Sequence, residues 1–175
     1  MFDHCDLAPA AHHPEFLAPT VTAALPSVPS AQVFEIDPDL ADTAALCAAY
    51  NLPLENSANC VIILGRRADT EKAVACLALA TTKVDVNNLV RRRLDVRKCS
   101  FAPMDWAVST TGMEYGAITP VGLPEGMPLW IDPRVLAAGQ VCIGAGRRTS
   151  KLVLDASELL RLPGAEAVEG LASPA

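Results

Sequence analysis

The segment Thr110–Pro124 (TTGMEYGAITPVGLP) carries three glycines and two prolines in 15 residues. These residue types mark backbone conformations that others reach only with strain. A loop of this kind can turn several backbone N–H groups toward one ligand oxygen, the arrangement that stabilises an oxyanion. An ordinary structural turn has the same composition, so the loop alone leaves both readings open. A second segment, Val141–Leu152 (VCIGAGRRTSKL), places Gly144-Ala145-Gly146 after an apolar run. Thr149 stands where a dinucleotide fingerprint needs its third glycine, and no helix pattern follows. The segment therefore reads as a β-turn-β loop with three exposed bases, Arg147, Arg148 and Lys151, and two hydroxyls. Such a loop can hold phosphate or simply be a solvated hairpin tip. A third cluster, Arg91-Arg92-Arg93 with Arg97-Lys98, puts five bases in eight positions. It can track a nucleic-acid backbone or form a solvated face, and without interleaved aromatic residues it does not imply base stacking. Arg147 and Arg148 share the motif-bearing side, so they are expected to matter more for phosphate than Arg91 to Arg93.

Missing residue types narrow the chemistry. All three histidines (His4, His12, His13) fall in the first 13 residues. Beyond them the chain has no imidazole base and no Ser-His or Cys-His nucleophile pair. His12-His13 lacks an acid or thiol at ligand spacing, so no metal site is expected. Hydrolysis would then rest on a carboxylate, backbone donors or the substrate itself, which favours activated substrates such as esters. None of the six cysteines forms a CxxC pair, and most lie in apolar stretches, as reduced core thiols of a cytoplasmic protein do.

The elements that position these segments are short. The chain has 175 residues, 51% hydrophobic, enough for one core without disulfides or metal. It has no apolar run of the roughly 20 residues a membrane helix needs and no basic residue ahead of an apolar N-terminal stretch. Net charge is −6, with no Lys or Arg in residues 1–65 and all 14 bases in residues 66–175. An anionic ligand finds its partners in the later part. Residues 1–30, with five prolines and no clear period, read as a disordered or loosely attached arm. The body is expected over 31–164 and a tail over 165–175. In the body, strands are predicted at Gln32–Ile36, Asn59–Leu64, Ala73–Leu79, Cys99–Phe101, Leu129–Ile131, Val141–Ile143 and Leu152–Leu154. The charged stretch Gly65–Lys72 forms a hairpin loop. Helices are predicted over Asp39–Tyr50, Asp85–Leu94, Pro103–Thr110 and Asp155–Leu162. Locally paired strands interrupted by single helices give an α/β (α+β) fold, a mixed sheet flanked by helices.

The order of these motifs resembles the YbaK-type aminoacyl-tRNA deacylases, the family that includes the editing domain of bacterial prolyl-tRNA synthetases. The likeness runs over about residues 32–163. It is carried by the strand around Cys60–Leu64 and Leu77-Ala78-Leu79 leading to Lys83-Val84-Asp85-Val86. Thr111–Gly122 follows, then Trp130-Ile131-Asp132, and last Val141–Gly146 with Lys151–Leu154. Gly-x-x-x-Gly-x-Ile-Thr-Pro followed by Ile-Asp and Gly-x-Gly is specific in that order. The family usually has a lysine opening the strand that here reads Asn59-Cys60-Val61-Ile62-Ile63. Cys60, or Asn59 if shifted by one, stands there and supplies no ammonium.

The resemblance implies hydrolysis of the ester bond of a mischarged tRNA by a freestanding protein, with no metal or organic cofactor. It implies that Gly112 and Gly116 belong to the loop positioning the aminoacyl carbonyl, and that Asp132 lies at the pocket. The expected catalytic residues are thus Gly112, Gly116 and Asp132. Substrate contacts are expected from Cys60, Thr111, Tyr115, Ile118, Thr119, Pro120, Gly144, Gly146, Arg147 and Arg148. The partner is the acceptor end of aminoacyl-tRNA, with no membrane, and the chain acts as a monomer or homodimer. The absent lysine keeps a second reading open, a module that binds aminoacyl-tRNA or a related nucleotide without hydrolysing it. A third is hydrolysis of another small acyl ester.

Overall fold

The structure is a computed structural model that describes residues 2–40 and 43–175. Its strands are β1 (Ala8–Pro9), β2 (Gln32–Glu35), β3 (Ala58–Arg67), β4 (Thr70–Leu79), β5 (Thr82–Val84), β6 (Lys98–Phe101), β7 (Leu129–Ile131), β8 (Gln140–Gly144), β9 (Ser150–Asp155), β10 (Ala165–Ala167) and β11 (Ala172–Pro174). The helices are α1 (Pro19–Ala24), α2 (Thr43–Tyr50), α3 (Arg91–Arg93), α4 (Met104–Thr111) and α5 (Pro133–Ala137). One sheet has the order β1-β2-β9-β8 and is antiparallel throughout. The other has the order β10-β7-β4-β3-β6, with β10, β7 and β4 parallel and the rest antiparallel. β11 and β5 form a separate pair. The fold is therefore α+β with helices and a mixed sheet, as the sequence indicates, and the antiparallel sheet β1-β2-β9-β8 is a second sheet beside it.

Alternation along the strands divides the apolar residues among three clusters. Ala75, Leu77 and Ile62 of one sheet share a core with Val141, Ile143, Leu152 and Leu154 of the other. Ile63, Val74, Cys76 and Trp130 face the opposite way, under Val90, Leu94, Val96, Val168 and Leu171. Phe34, Cys142 and Val153 are covered by Leu46 and Cys47 of α2 and by Phe2.

Several expectations need correction. Residues 2–30 are not a loose arm. Leu17, Ala18, Val21, Leu25 and Val28 belong to the main core, and Phe2 is fully buried. Prolines start its helical turns at Pro14 and Pro19, and that punctuation hides the apolar period. The segment 165–175 is not a free tail either. It supplies an edge strand beside β7 and a partner for β5, with Leu171 buried. The hairpin loop shrinks to Ala68-Asp69, because Gly65–Arg67 pair with Thr70–Lys72. Asp85 caps its helix by accepting from the Asn88 and Leu89 N–H groups at 3.1 and 3.4 Å. That helix is a π turn, Val86–Val90, continuing as α3. Ala156–Arg161 is a 3-10 helix rather than an α-helix. In the predicted helix Asp39–Tyr50, Ala41 and Asp42 lie outside the described residues, and α2 starts at Thr43.

Candidate active site

The glycine loop begins where α4 ends. The Thr111 hydroxyl donates to the Ala107 carbonyl at 2.7 Å and accepts from the Met113 N–H at 3.2 Å. Gly112 then adopts φ +69°, left-handed and favourable only to glycine, which stops the helix. The loop is bound to the β8–β9 turn by a reciprocal set of backbone bonds. Glu114 N donates to Gly146 O at 2.9 Å and Gly146 N to Ala117 O at 2.9 Å, while within the loop Ala117 N donates to Glu114 O at 3.0 Å. The Glu114 carboxylate accepts from Arg148 N at 2.6 Å. Close approach requires glycine at 144, where a Cβ would lie 2.5 Å from the Ala117 carbonyl oxygen.

Between these loops and strand β3 lies a cavity of about 350 Å³. Ala58, Ile62, Ala102, Ala107 and Ile118 give it apolar walls. Thr43, Asn59, Cys60, Tyr115 and Lys151 supply its polar side chains, and Gly116 and Gly144 its backbone surface. The Thr43 hydroxyl donates to Asn59 Oδ1 at 2.5 Å. Among the described residues, no acceptor meets the N–H of Gly116 or of Ile118. Phe101, 61% exposed, and Tyr115, 50% exposed, stand at the rim. A second hollow of about 530 Å³ shares Asn59, Val61 and Phe101 with the cavity and extends to Lys83 and Asn87.

Five residues expected at the site line this cavity: Cys60, Tyr115, Gly116, Ile118 and Gly144. Burial pushes the Cys60 thiol well above its ordinary pKa, with Cys76 adding to the effect. Gly112, Thr111, Thr119, Pro120 and Gly146 shape the loops and are not among the lining residues. The Thr119 hydroxyl is buried without a hydrogen-bond partner among the described residues. Arg147 and Arg148 are held by backbone carbonyls. Arg147 Nε donates to Leu17 O at 2.8 Å and Arg148 Nη2 to Pro38 O at 2.9 Å.

Asp132 is not brought to the cavity. Its side chain is 1% exposed. It caps α5 by accepting from Arg134 N at 3.0 Å and pairs with the Arg134 guanidinium at 2.8 and 2.9 Å. Its Oδ2 also accepts from Ala172 N at 3.1 Å, clasping the C-terminal segment. Burial alone raises the pKa of this carboxyl. The Arg134 contacts and the Ala172 amide outweigh that and hold it below the usual carboxylate range.

Sequence reasoning missed Thr43, Phe101 and the placement of Lys151, and named Asn59 only as the alternative to Cys60 at the position of the family's lysine. Lys151 was expected on an exposed tip, but β9 starts at Ser150, so Lys151 is a strand residue, 7% exposed. The alternation Lys151, Val153 against Leu152, Leu154 was the available signal. Among the described residues no group of three or more His, Cys, Asp or Glu side chains is arranged to hold a metal ion, and no helix is long and apolar enough to cross a membrane.

Fold and cavity together define an α+β domain in which two interlocked glycine loops wall a small, largely apolar chamber. The profile of the aminoacyl-tRNA editing domain matches residues 37–162, and the chain belongs to that family. A proposed trans-editing enzyme for prolyl tRNA synthetase superimposes with a TM-score of 0.73 at 19% identity, over 87% of this chain and 97% of that one. A scaffold used for computational epitope grafting gives a TM-score of 0.73 at 19% identity, over 87% and 95% of the two chains. A signal transduction protein from Marinobacter aquaeolei VT8, itself only a proposed assignment, gives a TM-score of 0.57 at 16% identity, over 87% of this chain but 30% of that one.

Proposed function

We propose that this chain hydrolyses the ester bond joining a wrong amino acid to tRNA, acting as a freestanding deacylase on the acceptor end. Family membership supports the reaction class, and the fold neighbour described as a trans-editing enzyme supports action in trans. The observation that carries the reading is that Gly116 and Ile118, at a cavity of about 350 Å³, have N–H groups without an acceptor among the described residues. An aminoacyl ester is already activated, so no strong base is required. Water within about 3–3.5 Å of the carbonyl carbon can attack once the developing oxyanion is met by preorganised donors. In this reading Gly116 and Ile118 supply those donors, and Gly112 sets the loop by ending α4. The apolar walls take the amino-acid side chain, while Phe101 and Tyr115 at the rim face the terminal nucleoside, where aromatic rings can stack on a base.

Cys60 is a wall residue rather than a nucleophile in this reading, because burial keeps its thiol protonated near neutral pH. Deacylation of a panel of mischarged tRNAs tests the assignment. At least one is expected to be cleared faster than its spontaneous hydrolysis; clearance of none rejects it.

A further inference from the structure

Lys151 is the one lysine or arginine among the described residues lining the cavity. It lies in the middle of a sheet, opposite Phe34 on β2 and Gly144 on β8. Register partners share a face, so Lys151 rises on the side covered by α2, and Thr43 of that helix, bonded to Asn59, lines the same cavity. Gly144 has no side chain to occupy the space beside it. On that same side the Ala117 and Ile118 carbonyls lie so near Gly144 that a Cβ would reach within 2.5 and 2.8 Å of them. The lysine therefore stands beside the loop that brings Gly116 and Ile118 to the cavity wall. Taking an ammonium out of water is costly, and lysine is almost never so buried unless something holds it. Lys151 is engaged within the folded chain and still forms part of the cavity wall. An ammonium carries three donors, enough to keep a partner in the chain and meet a ligand oxygen as well.

We propose that the Lys151 ammonium contacts an anionic oxygen of the bound aminoacyl-nucleotide end. It supplies, from β9, positive charge that the neutral Asn59 and Cys60 of β3 do not. The inference rests on the deacylase reading for the identity of the ligand. Two oxygens have the right chemistry: the ester carbonyl as it becomes an oxyanion, and the 5′-phosphate of the terminal adenosine. The burial of Lys151 favours the first, since a phosphate needs a wetter site.

Three variants test it: Lys151→Met, which keeps length without charge; Lys151→Arg; and Lys151→Met combined with Asn59→Lys, which returns an ammonium to the same cavity from β3. Each is assayed on a mischarged tRNA that the parent clears and on the corresponding aminoacyl-adenosine, which has no phosphate. Thermal melts confirm that each variant folds. Lys151→Met is expected to lower kcat about 100-fold on both substrates, in the range found for removing one oxyanion donor. The double variant is expected to recover at least about tenfold of that loss. A rise in KM on the tRNA alone assigns the contact to the phosphate and keeps the inference. A Lys151→Met rate within about threefold of the parent on both substrates, set against that 100-fold scale, overturns it.

Should the parent clear no mischarged tRNA, the deacylase reading fails separately. Calorimetric titration with a non-hydrolysable, amide-linked aminoacyl-adenosine 5′-monophosphate then decides the role of Lys151. Binding at least about tenfold weaker in Lys151→Met, a 1.4 kcal/mol difference, keeps the inference. Equal binding, or none to the parent, overturns it.

Discussion

Arg147 donates from Nε to the carbonyl oxygen of Leu17 at 2.8 Å, joining residues 130 apart in sequence. Two further bonds run alongside, Ala18 N to Ala145 O at 3.2 Å and the Ser150 hydroxyl to Phe16 O. Leu17 and Ala18 are buried beneath them, and a Cβ on Gly146 would approach the Ala18 Cβ to 2.5 Å. The N-terminal segment is thus the floor on which the second glycine loop rests. Leu17→Ala is expected to cost roughly 2–5 kcal/mol and to lower Tm by roughly 5–15 °C for a chain of this size. Starting the chain at Ala31 should be worse. A Tm change under about 3 °C for Leu17→Ala would show that the segment does not support the core.

The two glycines at the cavity should respond differently to alanine. At Gly116 (φ +85°) a Cβ meets Arg148 Nη1 at 3.0 Å, the movable end of a long side chain. The left-handed backbone then costs about 1–2 kcal/mol, which the fold survives. A loop displaced by an ångström can still lose about 100-fold in rate. At Gly144 the clash is with backbone carbonyls, so Gly144→Ala should lose both stability and activity. Melting curves and deacylation rates measured in parallel distinguish the two. Near-parental activity in Gly116→Ala would remove that loop from the mechanism.

Asp132 is expected to govern stability rather than chemistry. Asp132→Asn removes the charge that faces Arg134 and the amides of Arg134 and Ala172. The loss should be about 1–3 kcal/mol, toward the lower end because Arg134 is 42% exposed and solvent screens its share. Its folded-state pKa is depressed. The stabilisation is therefore complete above the unfolded value of about 3.9 and disappears as pH falls through the lower folded value. The Tm gap between parent and variant should hold constant from about pH 8 to 5 and close below about pH 4. A gap that ignores pH, or a fall in rate per folded molecule, contradicts this role.

What could be read from the sequence depended on whether a residue's position is set locally. Strands β3, β4, β7 and β8 announce themselves by β-branched or apolar runs, and Gly112 marks the end of α4 by the conformation only glycine takes easily. Cys60, Gly116, Ile118 and Gly144 meet at one cavity, although 84 residues separate the first from the last; their motif order is what points to a common site. The resemblance assigned Asp132 to the pocket, but the side chain's direction is fixed by capping α5 and by Ala172, a contact made across 40 residues. Lys151 was missed for a smaller reason. Extending β9 by two residues turns a base on an apparent loop tip into a buried strand residue. In residues 2–30, prolines and 3-10 turns break any single period, so apolar residues that pack well leave no regular pattern.

The path of the RNA gives the last test. Arg147 and Arg148, expected from sequence to bind phosphate, direct their guanidinium groups at the carbonyls of Leu17, Pro38 and Tyr115. The other cluster is better placed for a backbone. Strand β6 carries Lys98 opposite Arg66 at one end and Phe101 opposite Ile63 at the other, and Phe101 lines the cavity. Four strand residues span about 10 Å, so a basic surface begins one short strand from the mouth. Arg67, Arg91 and Arg97 surround a hollow there. Arg66, Arg67 and Arg93 are partly neutralised by Glu71, Asp95 and Glu166. Among the described residues, Arg91, Arg92, Arg97 and Lys98 have no such acidic partner. Removing a base that neutralises one phosphate lowers the slope of log K against log salt by about one unit. Arg91→Ala with Arg97→Ala is therefore expected to flatten the slope for tRNA binding by about one to two units. Arg147→Ala with Arg148→Ala should lower activity through the loops while leaving the slope close to the parent's. A slope that flattens only in the Arg147 and Arg148 variant would put the RNA on the opposite face.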